Sequence, residues 1–266
     1  MAVAAEPADM IEGVAINLSL GGKPILRDVT VALRPGELMA VCGPNGAGKS
    51  TLLSALAGEH PSCAASVSYE GTAANHFSAK ELAQRRVVLE QSPTLSAEFT
   101  LQELVELGVP IDIAPEGMDA LITPILRTLG LWEMKDRYVS ELSGGQRHKA
   151  HLARILTQLN GNRQMGHHCH VFLDEPTASL DISQQALVLK AMQRLTEDGV
   201  GVLVVLHDLN LAAGFADRVI LMRDGRVLYS DVPSAVLTEE RLTDIYETPI
   251  LVEAASSGQM VIQPRF

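Results

Sequence analysis

The sequence predicts an α/β fold interrupted by a helical insertion. Three observations predict it. Short β-rich runs alternate with helical segments in two separate regions, a mainly helical stretch lies between them, and a glycine-rich turn joins one apolar strand directly to a helix.

In chain order, Val14–Leu20 and Val29–Leu33 read as strands of an N-terminal β-rich part. The apolar run Leu38–Cys42 follows, then the glycine-rich turn, then a helix from Lys49 that stops at Gly58, a residue suited to the position just past a helix end. Arg86–Glu90 reads as one more short strand. From about Ser92 to Gln158 the pattern is helical, over Leu101–Leu107, Met118–Leu129 and Arg147–Leu159. Alternation then resumes. Val171–Leu173 and Gly201–Leu206 are continuous apolar runs of the kind found in buried parallel strands. Arg218–Met222 and Arg226–Tyr229, separated by Asp224-Gly225, read as a hairpin. The expected organisation is a single domain over 1–266: a core from 1–91 and 159–237, a helical subdomain over 92–158, and a tail over 238–266, with no internal repeat.

Bulk properties narrow the function. The 266 residues carry 21 Lys and Arg against 32 Asp and Glu, a formal charge of −11. An acidic balance argues against broad binding to nucleic acid or to anionic membranes, which relies on a basic excess. No apolar run approaches the roughly 20 residues that a membrane-spanning helix requires. Glu6 and Asp9 near the N-terminus are unlike a secretory leader. Cys42, Cys63 and Cys169 are widely separated and suggest no disulfide framework. A cytosolic chain is expected, with any membrane role exercised through a partner.

Gly43-Pro44-Asn45-Gly46-Ala47-Gly48-Lys49-Ser50 fits the phosphate-binding loop pattern G-x-x-x-x-G-K-[ST] without a mismatch, and it has the required strand before it and helix after it. Its glycines let backbone N–H groups converge on phosphate oxygens, and the helix N-terminus adds partial positive charge there. Lys49 is expected to reach the β- and γ-phosphates and the Ser50 hydroxyl to ligate Mg²⁺, with Thr51 beside it at the nucleotide.

Leu142-Ser143-Gly144-Gly145-Gln146 opens the helix Arg147–Leu159, with Ser143 suited to capping it. At all five positions it resembles the signature motif of the ABC ATPases, a P-loop NTPase family with a RecA-like core, an inserted helical subdomain and an N-terminal β-rich subdomain. The resemblance spans roughly residues 14 to 232 and continues in the family's order. The strand Val171–Leu173 ends in Asp174 and Glu175, like the Walker B strand, which implies that Asp174 helps hold Mg²⁺ and that Glu175 is the general base toward the attacking water. Gln91 resembles the glutamine that senses Mg²⁺ and water and links the core to the helical subdomain. Asp181 resembles the family's aspartate at the dimer seam, and His207 the switch histidine near the γ-phosphate.

The resemblance further implies that the signature acts in trans. ATP would sit between Lys49 of one protomer and Ser143, Gly144, Gly145, Gln146 and Asp181 of a second, so a homodimer is expected. Within the family, Gly43–Leu53, Asp174–Asp181 and Leu206–Ala213 are most similar to ATPases of haem, iron-siderophore and cobalamin importers. That likeness implies a peripheral subunit on the cytoplasmic face of the inner membrane, coupled to polytopic permease subunits and indirectly to a substrate-binding protein, with haem as cargo. A ferric-siderophore or cobalamin importer, or a soluble ATPase of iron–sulfur cluster assembly, is the alternative.

Two features depart from the family pattern. The position of its adenine-stacking aromatic is, by spacing, Leu20, and no aromatic residue precedes Tyr69. Adenine would then rest on aliphatic surface near Arg27, with most affinity coming from the phosphates. His167-His168-Cys169-His170 has metal-ligand residue types, but neighbours in an extended segment point to alternate sides, and the bland reading as a variable loop is preferred to a metal or haem contact.

Overall fold

The computed structural model describes residues 9–90, 97–178, 180–256 and 258–265. An N-terminal hairpin, β1 (Ile11–Leu20) and β2 (Lys23–Leu33), begins the chain, and β3 (Leu38–Cys42) leads through the glycine-rich loop into α1 (Lys49–Leu56). Gly58 (φ +76°) ends α1 as expected: its N–H reaches Ala55 O (3.0 Å) and that of Glu59 reaches Ser54 O (3.0 Å), the paired bonds of a Schellman motif. Then come β4 (Val67–Tyr69), β5 (Thr72–Ala73), α2 (Ala79–Arg85) and β6 (Arg86–Leu89). The helical part holds α3 (Leu101–Glu106), α4 (Pro115–Thr128) and α5 (Gly144–Gln164). After it come β7 (His170–Asp174), α6 (Ile182–Glu197), β8 (Val202–Val205), α7 (Leu209–Phe215), β9 (Arg218–Arg223) and β10 (Arg226–Asp231). The chain closes with α8 (Pro233–Val236), α9 (Glu239–Tyr246), β11 (Ile250–Ala254) and β12 (Met260–Pro264).

Among the described residues a six-stranded sheet in the order β10-β9-β3-β8-β7-β6 forms the central layer, parallel except for its edge strand β10. Because successive strand residues point to opposite faces, β3, β7, β8 and β9 can be buried on both sides only if both faces are covered. They are. Leu38, Ala40 and Cys42 face one core with Val171, Leu173, Val202 and Val204, while Met39 and Val41 face the other with Phe172, Leu203 and Val205. The first core is closed by the helical part and the C-terminal elements, the second by α1 and a four-stranded sheet in the order β2-β1-β4-β5.

Two elements differ from expectation. The helix expected over Arg147–Leu159 runs from Gly144 to Gln164, so it crosses the subdomain boundary placed at 158/159. Asn160-Gly161-Asn162 has low helix propensity, yet tertiary contact carries the helix through it. A Cβ on Gly161 would lie 2.5 Å from Pro110 Cδ, and Gln158 Nε2 and Asn162 Nδ2 both donate to Ala83 O, at 3.0 and 2.8 Å. The tail over 238–266 is built into the body: Leu242, Ile245, Ile250 and Ile262 belong to the first core.

The histidine run separates as its extended geometry predicts. His168 Nδ1 lies 3.3 Å from Asp9 Oδ2, the Cys169 thiol receives Asn162 Nδ2 at 3.8 Å, and His170 is buried at the start of β7. Among the described residues no group of three or more His, Cys, Asp or Glu side chains could hold a metal ion. His170 packs against Gly201, where a Cβ would come within 2.6 Å of its ring.

Burial without a partner at His170 Nε2 and at His151 Nδ1 on α5 favours the neutral imidazole. Desolvation lowers each from an ordinary 6.5 to about 4, and at His151 the cations Arg154, His148 and Arg147 add to the effect. The unfolded chain therefore binds more protons than the folded one between pH 6.5 and 4. Stability is complete above that window and is lost as pH falls through it. We expect the urea midpoint to fall between pH 7.5 and pH 5, and His170→Gln to flatten part of the slope. A midpoint unchanged at pH 5 would show that neither imidazole is held neutral.

Candidate nucleotide and hydrolysis site

The carboxyl ends of three neighbouring parallel strands build the site. β3 delivers Gly43–Gly48, β7 delivers Asp174 and Glu175, and β8 delivers His207. Gly43 (φ +147°) is compelled to be glycine, since a Cβ there would lie 2.2 Å from Met222 O. Gly48 (φ +96°) caps α1 from a left-handed conformation that other residues avoid. The β9–β10 turn braces this loop: Gly225 N–H donates to Ala47 O (3.1 Å) and Arg27 N–H donates to Gly225 O (2.9 Å), tying the loop to β2.

An open cleft of about 310 Å³ is lined by Ile25, Asn45, Gly46, Ala47, Gly48, Lys49, Ser50, Thr51, Glu175 and His207. Lys49 is 6% exposed, and its ammonium donates to Gly43 O (2.8 Å) and Pro44 O (3.0 Å). Burial lowers its pKa, opposed by the nearby carboxylates of Glu175 and Asp174. Ser50 Oγ donates to Asp174 Oδ1 at 3.1 Å. Burial raises the Asp174 pKa, with Glu175 adding to the rise and the Ser50 hydrogen bond, Lys49 and His207 opposing it. A hydroxyl and a desolvated carboxylate meeting beside a phosphate loop are hard oxygen donors of the kind Mg²⁺ takes, and a divalent cation would relieve the cost of burying Asp174.

Glu175 has φ +52°, a left-handed conformation costly for a side chain with a Cβ and most often found where function requires it. Its carboxylate Oε1 is hydrogen-bonded to His207 Nε2. The strand end thus aims a carboxylate and an imidazole together into the cleft beside Lys49 and Ser50.

The other site residues lie elsewhere. Ser143 caps α5 in a full capping box, with Gln146 N–H donating to Ser143 Oγ (3.3 Å) and Ser143 N–H to Gln146 Oε1 (2.9 Å). Ser143 and Gly144 are exposed, and a Cβ on Gly144 would meet open space. Asp181 caps α6, accepting from Gln184 N (2.9 Å) and Ser183 Oγ (2.6 Å), bonds that lower its pKa. None of Ser143–Gln146 or Asp181 lines the cleft around Lys49. Pro44 touches Lys49 through its carbonyl, and Gln91 lies outside the described residues.

Ile25 of β2 also lines the cleft, while Leu20, across the Gly21-Gly22 turn from β2, and Arg27 are not among the lining residues. Sequence reasoning assigns no role of its own to Asn210, although it lies within Leu206–Ala213, nor to Tyr246, which belongs to no motif.

Residues 26–178 match the ABC transporter family. The chain is 38% identical over 255 residues to the hemin import ATP-binding protein of Rhodopseudomonas palustris, covering 96% of this chain and 94% of that one. It is 41% identical over 266 residues to the protein of the same name from Streptomyces coelicolor, covering 98% and 92%. Two solved structures share the fold. One is the ATP-binding subunit of an ABC transporter (TM-score 0.74, 22% identity, covering 85% of this chain and 91% of that one). The other is described as an inward-facing transporter of metal-chelate type (TM-score 0.78, 21% identity, covering 97% and 98%). With the phosphate loop, the paired Glu175 and His207 and the capped signature helix in the order the family requires, this chain belongs to the ABC transporter family.

Proposed function

We propose that this chain is the ATP-hydrolysing subunit of an importer whose cargo is haem, acting at the cytoplasmic face of the inner membrane through a polytopic permease and, indirectly, a substrate-binding protein. The observation that carries hydrolysis is the convergence of Lys49, Ser50, Glu175 and His207 on one cleft beside Asp174. The haem reading rests on the relatives named for hemin import, since nothing in an ATPase cleft contacts the cargo.

In this reading the loop Gly43–Gly48, with Thr51, cradles the phosphates by backbone N–H groups, and Lys49 turns from the loop carbonyls to the β- and γ-phosphates. Ser50, Asp174 and Gln91 would hold Mg²⁺, which would neutralise charge on the phosphate oxygens. Glu175 accepts a proton from the attacking water as the water oxygen bonds the γ-phosphorus and the bond from that phosphorus to the bridging oxygen breaks, releasing ADP, and the His207 hydrogen bond keeps the carboxylate aimed at that water. Ser143, Gly144, Gly145, Gln146 and Asp181 act on the nucleotide of a second copy. The exposed, capped end of α5, remote from the Lys49 cleft of its own chain, supports that arrangement. ATP then favours the closed pair by binding it better than the open one, and hydrolysis removes the preference.

Replacing Glu175 by Gln should lower ATP turnover by about a hundredfold or more while leaving an ATP-stabilised dimer detectable by size; turnover near wild type would remove Glu175 from its role. With aliphatic Leu20 where a stacking ring is usual, GTP should be hydrolysed at a rate comparable to ATP, and a strict preference for ATP would point to a base contact not in the described cleft. Coexpressed with a candidate polytopic ABC permease from the same genome, the chain should extract from membranes with that protein. Recovery only in the soluble fraction would favour a permease-free ATPase.

A further inference from the structure

The elements after residue 238 are tied to the segments around the site at two points. At the end of β9, Arg223 Nη1 donates to Asp244 O (2.9 Å) and Nη2 pairs with Glu247 Oε1 (2.6 Å), where Glu247 ends α9 in a left-handed conformation (φ +53°). Asn210, three residues after His207, joins its side-chain amide to the edge of β12: Nδ2 donates to Ile262 O (3.1 Å) and Ile262 N–H donates to Oδ1 (2.8 Å).

This last pairing has a specific geometry. A primary amide carries the same donor and acceptor as a peptide group, so Asn210 closes the open edge of the β11–β12 ribbon as one more strand residue would. The ribbon itself is fixed, because Ile250 and Ile262 are buried in the first core. Helix α7 is only seven residues long, too short to be stable by its own hydrogen bonds. Asp208 caps it, with Oδ1 accepting from Asn210 N (2.8 Å) and Leu211 N (3.3 Å), and β12 packs along it. His207 is about half exposed, so burial does not fix its ring. The ring is held by its bond to Glu175 and by the direction in which its backbone leaves β8 and enters α7, the helix that Asn210 ties to β12.

We infer that the C-terminal hairpin is a positioning element for the hydrolytic site: through the Asn210 amide it holds the start of α7, and with it the His207 imidazole, against Glu175. Asn210 is a positioning residue, acting only through His207, and the inference rests on the reading of His207 as part of that site.

The test uses the full chain with ¹⁵N-labelled histidine. The His207 ring signals are identified by their absence in His207→Ala. In Asn210→Ala both bonds to Ile262 are lost. The His207 signals should shift or broaden while those of buried His170 stay in place, and kcat should fall about tenfold, the order expected of a displaced catalytic group, with KM for ATP changed less than twofold. If Asn210→Ala does not fold, Asn210→Asp serves: it keeps an acceptor for Ile262 N–H but sets a carboxylate oxygen against Ile262 O, and the same changes are expected. Unmoved His207 signals overturn the inference whatever happens to kcat, and so do moved signals with wild-type kcat. Turnover of His207→Ala near wild type would instead remove His207 from the hydrolytic role. That outcome is read from a different variant.

Discussion

The parallel register of β3, β8 and β7 is the constraint on which the site depends. Val205 of β8 lies opposite Val41 on one side and Asp174 on the other, so β7 and β8 end at one level and β3 one residue beyond it. The next residues are then Gly43 with its loop, Glu175, and Leu206 with His207. A slip of one residue in β7 would turn Asp174 and Glu175 to opposite faces and set Phe172 against the wrong core. The register is held because both faces are buried: Leu38, Ala40 and Cys42 cannot exchange places with Met39 and Val41 without emptying one core and overfilling the other. Packing far from the cleft thereby decides where its charges stand.

Those charges are held at some cost. Burial favours the neutral forms of both Lys49 and Asp174. It is opposed at Lys49 by Glu175 and Asp174, and at Asp174 by the Ser50 hydrogen bond, Lys49 and His207. Lys49 meanwhile rests on the carbonyls of Gly43 and Pro44. On the proposed reading a triphosphate offers that ammonium a stronger acceptor, and a divalent cation offers Asp174 a stronger partner. Ligand binding would then relieve a strain the folded chain already carries. The positive φ of Glu175 belongs to the same pattern, since the strand end is turned out of ordinary backbone to present the carboxylate.

Much of this was legible in the sequence for a physical reason. The phosphate loop, the Asp174-Glu175 strand end and the capped Ser143-Gly144-Gly145 start of α5 are made by consecutive residues, so local backbone rules suffice to read them. The apolar runs of β3, β7 and β8 likewise announce strands buried on both faces. What could not be read depends on residues far apart in the chain. The length of α5 is set by Pro110 against Gly161 and by Ala83 receiving two side chains. Ile25 reaches the cleft from β2, after a turn that reverses the chain. The tail is part of the core through Ile250 and Ile262, and nothing in its own composition announces that.

The placement of the signature segment bears on how many chains make a complete site. Ser143 and Gln146 satisfy one another through the capping box, and Gly144 leaves open space beside the helix start. The partial positive charge of a 21-residue helix is thus directed at solvent, on a surface separate from the Lys49 cleft. An anion held by Lys49 of the same chain gains nothing from it, whereas an anion presented by a second copy can. In a symmetric pair each copy offers one loop and one signature, so two sites form or neither does. On the proposed reading, this is why a nucleotide bound between chains can drive a large motion: the γ-phosphate is the one group that both halves contact, and its loss releases both at once.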